Sequence, residues 1–315
     1  MKRKLRYLLV LAAVVCFAGL VQAISYTTLD YPGAKCTYIT GIDGDTIVGY
    51  YSNYGSNYEG AIDPHGFVYD GQTWTTLDCP RKLASSLIYN TTIEGINNGK
   101  IVGNCRVARP HPRECGFIYD GQTWTLLDFP GAGDTYIQGI DGSNIAGYYQ
   151  DETGLHGFVY NGTTWNTLLY PWTNSGYVDT SVVGISGNNV AICDYGYYGT
   201  PDSVIYNIEN QTWSTIELPG AGFTGVMAID GSNIVGGYGE GEGYEYYFLY
   251  DGTSWTTFDF SFSHSSIVAI TDMDGDNIVG HYSGSGGVHG FIATIPEPAT
   301  LALLVFGGLI LRKRK

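Results

Sequence analysis

The chain has 315 residues, of which 44% are hydrophobic and only 14% charged, with 45 Gly, 27 Tyr and a formal net charge of −15. Its 15 Lys and Arg sit at the two ends and between Lys35 and Arg113, and residues 114–311 contain neither. Such a surface repels phosphate backbones and excludes nucleic acid as a partner. The acid excess is read as solubility in a salty exterior, with attraction of cations or basic partners as the alternative.

The first predicted element is an export signal, residues 1–23. Lys2, Arg3, Lys4 and Arg6 precede an apolar run over residues 8–21, and Val21-Gln22-Ala23 supplies a cleavage site. Cys16 raises a lipoprotein alternative, but Val14-Val15 lack the small side chains expected before a lipidated Cys.

Residues 24–295 repeat themselves. The phrase Gly66-Phe67-Val68-Tyr69-Asp70-Gly71-Gln72-Thr73-Trp74 returns at Gly116, Gly157, Val204 and Phe248. A second phrase ending in apolar-apolar-Gly recurs at Ile47, Ile101, Ile145, Val190, Ile234 and Ile278, at intervals of 44 or 45 residues with one of 54. In repeat one the alternation predicts strands at residues 37–42, 46–51, 66–69 and 73–78. Asp43-Gly44 and Asp70-Gly71 are read as type I′ hairpin turns, because Gly accepts positive φ. Four up-and-down strands per ~45 residues, six times over, predict an all-β fold: a six-bladed β-propeller of four-stranded blades. Repeat six, read as strands at 265–270, 277–282 and 290–295, stops before a fourth strand. Tyr26-Thr27-Thr28-Leu29-Asp30 matches the missing piece, so the N-terminal strand is predicted to close the ring.

The landmarks Ile234-Val235-Gly236-Gly237, Tyr250-Asp251 and Trp255 resemble kelch repeats. His65-Gly66-Phe67, His156-Gly157-Phe158 and His289-Gly290-Phe291 make the whole middle more similar to the HAF-type repeats of bacterial extracellular proteins, a resemblance that implies fold and location only. Residues 296–315 hold Pro296-Glu297-Pro298, an apolar run over 299–311 and Arg312-Lys313-Arg314-Lys315. Thirteen apolar residues make ~20 Å of helix, short of a ~30 Å bilayer core; a short tail anchor is one reading. The order of the three parts closely resembles the PEP-CTERM sorting signal of Gram-negative bacteria. That resemblance implies transient membrane insertion of a C-terminal transmembrane segment, recognition by an exosortase-type enzyme, and delivery to the cell surface or extracellular matrix.

Candidate site residues are few. His65, His156 and His289 precede third strands of different repeats and cannot converge on one ion, so they are read as structural; His111, His264 and His281 have no ligand spacing. The Asp-Gly-x-Thr-Trp hairpins resemble the sialidase Asp-box one residue short, but no arginine cluster accompanies them. Asp272, Asp274 and Asp276, read as an insertion between Ile270 and Ile278, are candidate Ca²⁺ ligands, with a solvated turn as the other reading. Cys105 and Cys115 end and begin neighbouring strands and are a candidate disulfide. If first strands line a channel, Tyr38, Glu94, Tyr136 and Gln138 are its candidate ligand contacts. No paired carboxylates or nucleophile motif can be picked out by spacing. The reading is a non-catalytic binding or scaffold protein of the biofilm matrix or surface, contacting exopolysaccharide or protein through exposed Tyr and Trp. The alternative is an extracellular glycan-active enzyme.

Overall fold

The computed structural model describes residues 22–54, 56–57, 60–83, 86–108, 112–168, 178–193, 203–240, 246–260 and 268–295. The export signal up to residue 21, the sorting tail from residue 296, His111 and His264 lie outside the described residues. Among the described residues there is no helix, and so none long and apolar enough to cross a membrane.

The fold is all-β, built from four-stranded antiparallel sheets, one per repeat. In repeat one, Cys36–Asp43, Thr46–Ser52, His65–Tyr69 and Trp74–Thr76 pair in chain order, as the alternation predicts. Repeat six supplies Val268–Asp274, Asn277–Gly284 and Gly287–Thr294, and Tyr26–Leu29 pairs antiparallel with residues 290–293. A bridge between Val288 and Cys36 makes repeats six and one a continuous sheet. Gln22–Ile24, not foreseen, adds a parallel strand to Trp255–Phe260 of repeat five, and Ile24 is buried there.

First strands stand side by side: Cys36–Asp43 beside Ser86–Asn97, and so on through Asp134–Asp141, Val182–Ser186 and Phe223–Asp230 to Val268–Asp274, which lies beside Cys36–Asp43. This is the radial layout of a β-propeller. Hydrophobic clusters fill the space between neighbouring sheets; Ile93 and Phe117 of repeat two, for example, pack with Val48 of repeat one.

Two local devices set each sheet. Phe67, Phe117, Phe158, Phe248 and Phe291 are fully buried on third strands. Each faces a second strand at a Gly; a Cβ on Gly49 would lie 2.0 Å from the Tyr38 carbonyl and 2.9 Å from the Phe67 ring. Repeat four instead has Ile192 on the second strand and Val204 on the third, both buried. The second device is the outer hairpin. Asp70 Oδ1 accepts from the N–H groups of Gln72 and Thr73, and Tyr69 Oη donates to the Gly71 carbonyl. Asp120 and Asp251 accept the same two N–H bonds, and Asn161 does so in repeat three. Those N–H groups hold Asp70 and Asp120 below the usual carboxylate range.

The turns differ from the predicted type I′. Asp70–Thr73 is a four-residue loop with positive φ at Gly71. Gly44-Asp45 is a two-residue loop with positive φ at Gly44 alone, the type II′ pattern. Asn98-Gly99 has two positive φ values and is the type I′ member. Repeat six needs a larger correction. Its described first strand, Val268–Asp274, runs past the predicted end at 270, while 265–267 of that prediction lie outside the described residues; Met273 rather than Ile270 is the buried anchor before the turn. Counted from Met273 the turn has the common length. There is no insertion, and Asp272 and Asp274 belong to the strand.

Deleting residues 25–34 removes a paired strand and the Tyr31 stack on Tyr51. The melting temperature should fall by about 10 °C or more, at about 2–4 °C per kcal/mol for a domain of this size; an unchanged melt would show that this strand closes nothing. Trp124 is half-buried against Phe117 and Tyr119, with ring centroids 4.9 and 4.7 Å away. Trp124→Ala should cost about 3 kcal/mol in denaturant titration.

Candidate functional site: the axial cavity and the open face

Every first strand carries a β-bulge at the same place. Its register slips between Ile39 and Gly41, Ile93 and Gly95, Ile137 and Gly139, Val182 and Gly184, Val226 and Ala228, and Ile270 and Asp272. The extra residue is Thr40, Glu94, Gln138, Val183, Met227 or Thr271. A bulge re-aims its side chain, and all of these but Met227 line one cavity of about 40 Å³ together with Asp272. That volume holds only a few waters, at roughly 10–15 Å³ each.

Below the bulges a circuit of hydrogen bonds links the repeats. The turn N–H of Asn98 donates to Asp43, Gly142 to Asn97, Gly187 to Asp141, Gly231 to Ser186, Gly275 to Asp230 and Gly44 to Asp274. Each side chain thus satisfies a backbone donor of the next repeat. Asp272 joins it, accepting from Ile42 N at 2.9 Å and Met273 N at 2.9 Å. Asp272 and Asp274 therefore spend oxygens on backbone donors, while Asp276 is exposed in the turn. No group of three His, Cys, Asp or Glu among the described residues is arranged to hold a metal.

The cavity is acidic in composition but resists charge. Burial pushes Glu94 up to about 7 against the pull of Thr92 and Asn104, and Asp272 up to about 7 against its two N–H donors. Asn104 is held in turn by Ile137, its Oδ1 2.7 Å from that N–H.

Of the four predicted channel contacts, Glu94 and Gln138 line the cavity. Tyr38 and Tyr136 lie two residues earlier and stack on Tyr50 and Tyr148, at 4.8 and 4.9 Å. Burial raises Tyr136 and Tyr148 to about 12 and Tyr50 well above its usual value. His281 meets Tyr38 edge-on at 5.0 Å; burial lowers it to about 4, and its Nδ1 has no hydrogen-bond partner. Sequence reading missed Asp272 and His281 as axial residues. Aligning repeat six on Met273 puts Asp272 where repeats one to four have Gly, and that is the signal that finds it.

The other His residues are tied into their sheets. His65 Nδ1 lies 2.7 Å from Asp78, His289 Nδ1 2.8 Å from Asp30, and His156 Nε2 3.1 Å from Asp151. The candidate pair Cys105 and Cys115 are direct cross-strand partners, and no disulfide joins them or the other buried cysteines, Cys36, Cys79 and Cys193, in this structure.

The two ends of the sheets differ. Turns between first and second strands, and between third and fourth, gather the Asp-Gly phrases at one end. The longer connections lie at the other. Among the described residues the exposed large hydrophobics are Tyr54 at 67%, Ile62 at 41%, Tyr89 at 50% and Tyr246 at 40%. All four lie at that second end, in or beside the longer connections. The repeat tryptophans do not join them: Trp74, Trp124, Trp165, Trp213 and Trp255 are half-buried against neighbouring rings.

No family model matches the chain, and no curated protein does. Among solved structures it is similar to an oligogalacturonate lyase in complex with manganese, at 14% identity and TM-score 0.43, covering 88% of this chain and 99% of that one. It is similar to a sialidase from Trypanosoma rangeli, at 12% identity and TM-score 0.47, covering 86% and 55%. A third is the β-propeller domain of the trilobed protease from Pyrococcus furiosus, at 11% identity and TM-score 0.36, covering 71% and 96%. None of these reaches a TM-score of 0.5.

Glu94 and Asp272 bind protons more tightly folded than unfolded. The stability they contribute is complete below the unfolded carboxyl range, at about 4, and is lost as pH rises through about 7. His281 has the opposite sign: its contribution is present above about 6.5 and is lost as pH falls through about 4. Glu94→Gln removes one ionisation. Its gain in urea midpoint over the parent should be larger at pH 8 than at pH 5; an equal difference at both would mean that Glu94 does not titrate in this window.

Proposed function

We propose that this chain is an exported six-bladed β-propeller, its ring closed by Tyr26–Leu29, and that it works as a non-catalytic binding protein of the cell surface or extracellular matrix. Support for the ring comes from the pairing of that strand with residues 290–293 and from the side-by-side order of the six first strands. Export and sorting rest on the basic-apolar start and on Pro296-Glu297-Pro298 with its apolar run and basic end. The implied partner is an exosortase-type membrane enzyme.

The binding reading rests on one observation: the exposed large hydrophobic side chains, drawn from repeats one, two and five, all lie at the end of the sheets that carries the longer connections. Tyrosine presents a flat apolar ring and a polar tip at low entropic cost, which suits the apolar faces of sugar rings and their hydroxyls. The ligand is accordingly an exopolysaccharide, held by Tyr54, Tyr89 and Tyr246 and not by the half-buried tryptophans. Ca²⁺ at Asp272, Asp274 and Asp276 is not part of this reading, since two of the three already serve backbone donors.

A second reading, a glycan-active enzyme, is favoured by the two carboxyls near pKa 7 in one cavity. The volume of about 40 Å³ leaves no room for a sugar ring there. Titration of the purified chain against a panel of acidic and neutral matrix polysaccharides should give saturable binding without new reducing ends. Tyr54→Ala and Tyr89→Ala should each weaken it about tenfold, or about 1.4 kcal/mol, with unchanged melting temperature. Absence of binding across the panel would overturn the reading; reducing ends that vanish in Glu94→Gln would establish the enzyme.

A further inference from the structure

The fold repeats a three-residue stack that repeat two rewrites. In repeat one, Tyr31 stacks on Tyr51 with ring centroids 3.7 Å apart and planes 4° apart, and Tyr51 stacks on His65 at 5.5 Å. In repeat three, Phe129 lies on Tyr149 at 3.7 Å and 13°, and Tyr149 on His156 at 5.1 Å. The same three positions in repeat two are Cys79, Cys105 and Cys115.

Backbone contacts confirm the equivalence. Tyr31, Cys79 and Phe129 each donate their N–H to a threonine Oγ1, of Thr37, Thr91 and Thr135, at 2.9, 3.0 and 3.0 Å. Tyr51, Cys105 and Tyr149 are cross-strand partners of His65, Cys115 and His156. Cys105 is therefore the middle of the stack, with one thiol on each side. All three lie in one hydrophobic cluster, 6%, 1% and 1% exposed.

We propose that Cys79 and Cys105 form a disulfide that ties the exit of repeat one to the second strand of repeat two. The tighter side of the stack decides the partner. Directly opposed strand residues hold their Cβ atoms about 4.5–5.5 Å apart, wider than the ~3.8 Å that a disulfide prefers. The Cys79 position is the one that elsewhere seats a ring face-to-face at 3.7 Å. Cys79 is also the first cause raising the Cys105 thiol above its usual value, ahead of burial, with Cys115 behind both.

The bond forms by exchange with an incoming disulfide such as oxidised glutathione. One cysteine thiolate attacks it, making a mixed disulfide and releasing one glutathione. The second cysteine thiolate attacks the protein-bound sulfur, forming the Cys79–Cys105 bond and releasing the second glutathione. The two protein protons end on the two glutathione thiols. Because all three thiols are buried once the sheets pack, the exchange belongs to folding. In the test below the glutathione buffer supplies the oxidant, so the outcome does not rest on export.

The test is to unfold the purified full-length chain, refold it in a reduced and oxidised glutathione buffer, alkylate free thiols and map the tryptic peptides. Lys35, Arg81, Lys100, Arg106 and Arg113 put Cys79 in residues 36–81, Cys105 in 101–106 and Cys115 in the long peptide that begins at Glu114. The expected product is 101–106 linked to 36–81 through Cys79, with Cys115 alkylated; Cys36→Ser leaves the link in place. Reduction should lower the melting temperature by on the order of 5–10 °C, an effect that Cys79→Ser abolishes. Recovery of 101–106 linked to the Glu114 peptide, or with Cys105 alkylated, overturns the proposal.

Discussion

One backbone N–H per repeat, at the first turn, points at a side-chain oxygen of the repeat before it. That donor would otherwise lie at an exposed strand end, serving water. Here it is taken by Asp43, Asn97, Asp141, Ser186, Asp230 or Asp274. Hydrogen bonds to an ionised acceptor are roughly twice as strong as neutral ones, and four of the six acceptors are aspartates. The contact fixes each first strand against the next at a set height. With those heights matched, the bulges two and three residues earlier bring Thr40, Glu94, Gln138, Val183 and Thr271 to one level around the cavity.

The same contacts change the meaning of the acid excess. Read from composition, 30 Asp and Glu against 15 Lys and Arg describe a surface. In the fold many of these groups are ties. Four aspartates link repeats, Asp70, Asp120 and Asp251 cap the outer hairpins, and Asp30, Asp78 and Asp151 hold histidines. A carboxylate that accepts two backbone N–H bonds replaces cations with dipoles, so long stretches without Lys or Arg are compatible with a stable fold. Acid lies at both ends of the sheets: the tying and capping aspartates at the end of the tight turns, and Asp30, Asp78 and Asp151 at the end that also carries the exposed tyrosines.

Strand order in repeat one and the partner of the N-terminal strand were legible because apolar alternation and the Asp-Gly phrase recur with little change. The phase of repeat six was not. Ile270 looks like the anchor because the other repeats have Ile there, while the true anchor, Met273, is a different residue type. Choosing Ile270 turned two strand aspartates into an apparent loop insertion and so into an apparent cation site. The bulge was hidden for another reason: it is a property of backbone pairing, and Thr40, Glu94 and Gln138 share no side-chain character that could announce it. Contacts between repeats are equally silent in sequence, since Asp43 and Asn98 are 55 residues apart.

What individuality the chain has is concentrated in repeat two. That repeat sits across the one interval of 54 residues and carries Glu94, Asn104 and three of the five cysteines of the described residues. Arg106 and Arg113 reach Glu114 and Asp128 in the same sheet. In repeats one and three the stack is aromatic, and outside repeat two the bulge position is Thr, Gln, Val or Met, choices that keep a propeller together and ask nothing of redox state. Repeat two replaces rings with thiols and an amide with a carboxyl held near pKa 7, and each substitution costs packing or desolvation that the neighbouring repeats avoid. Asn104 shows how the cost is contained. It occupies the position of Tyr50 and Tyr148 and uses its amide at once on Ile137 of the next repeat and on Glu94, so the buried acid keeps a donor while the repeats stay joined.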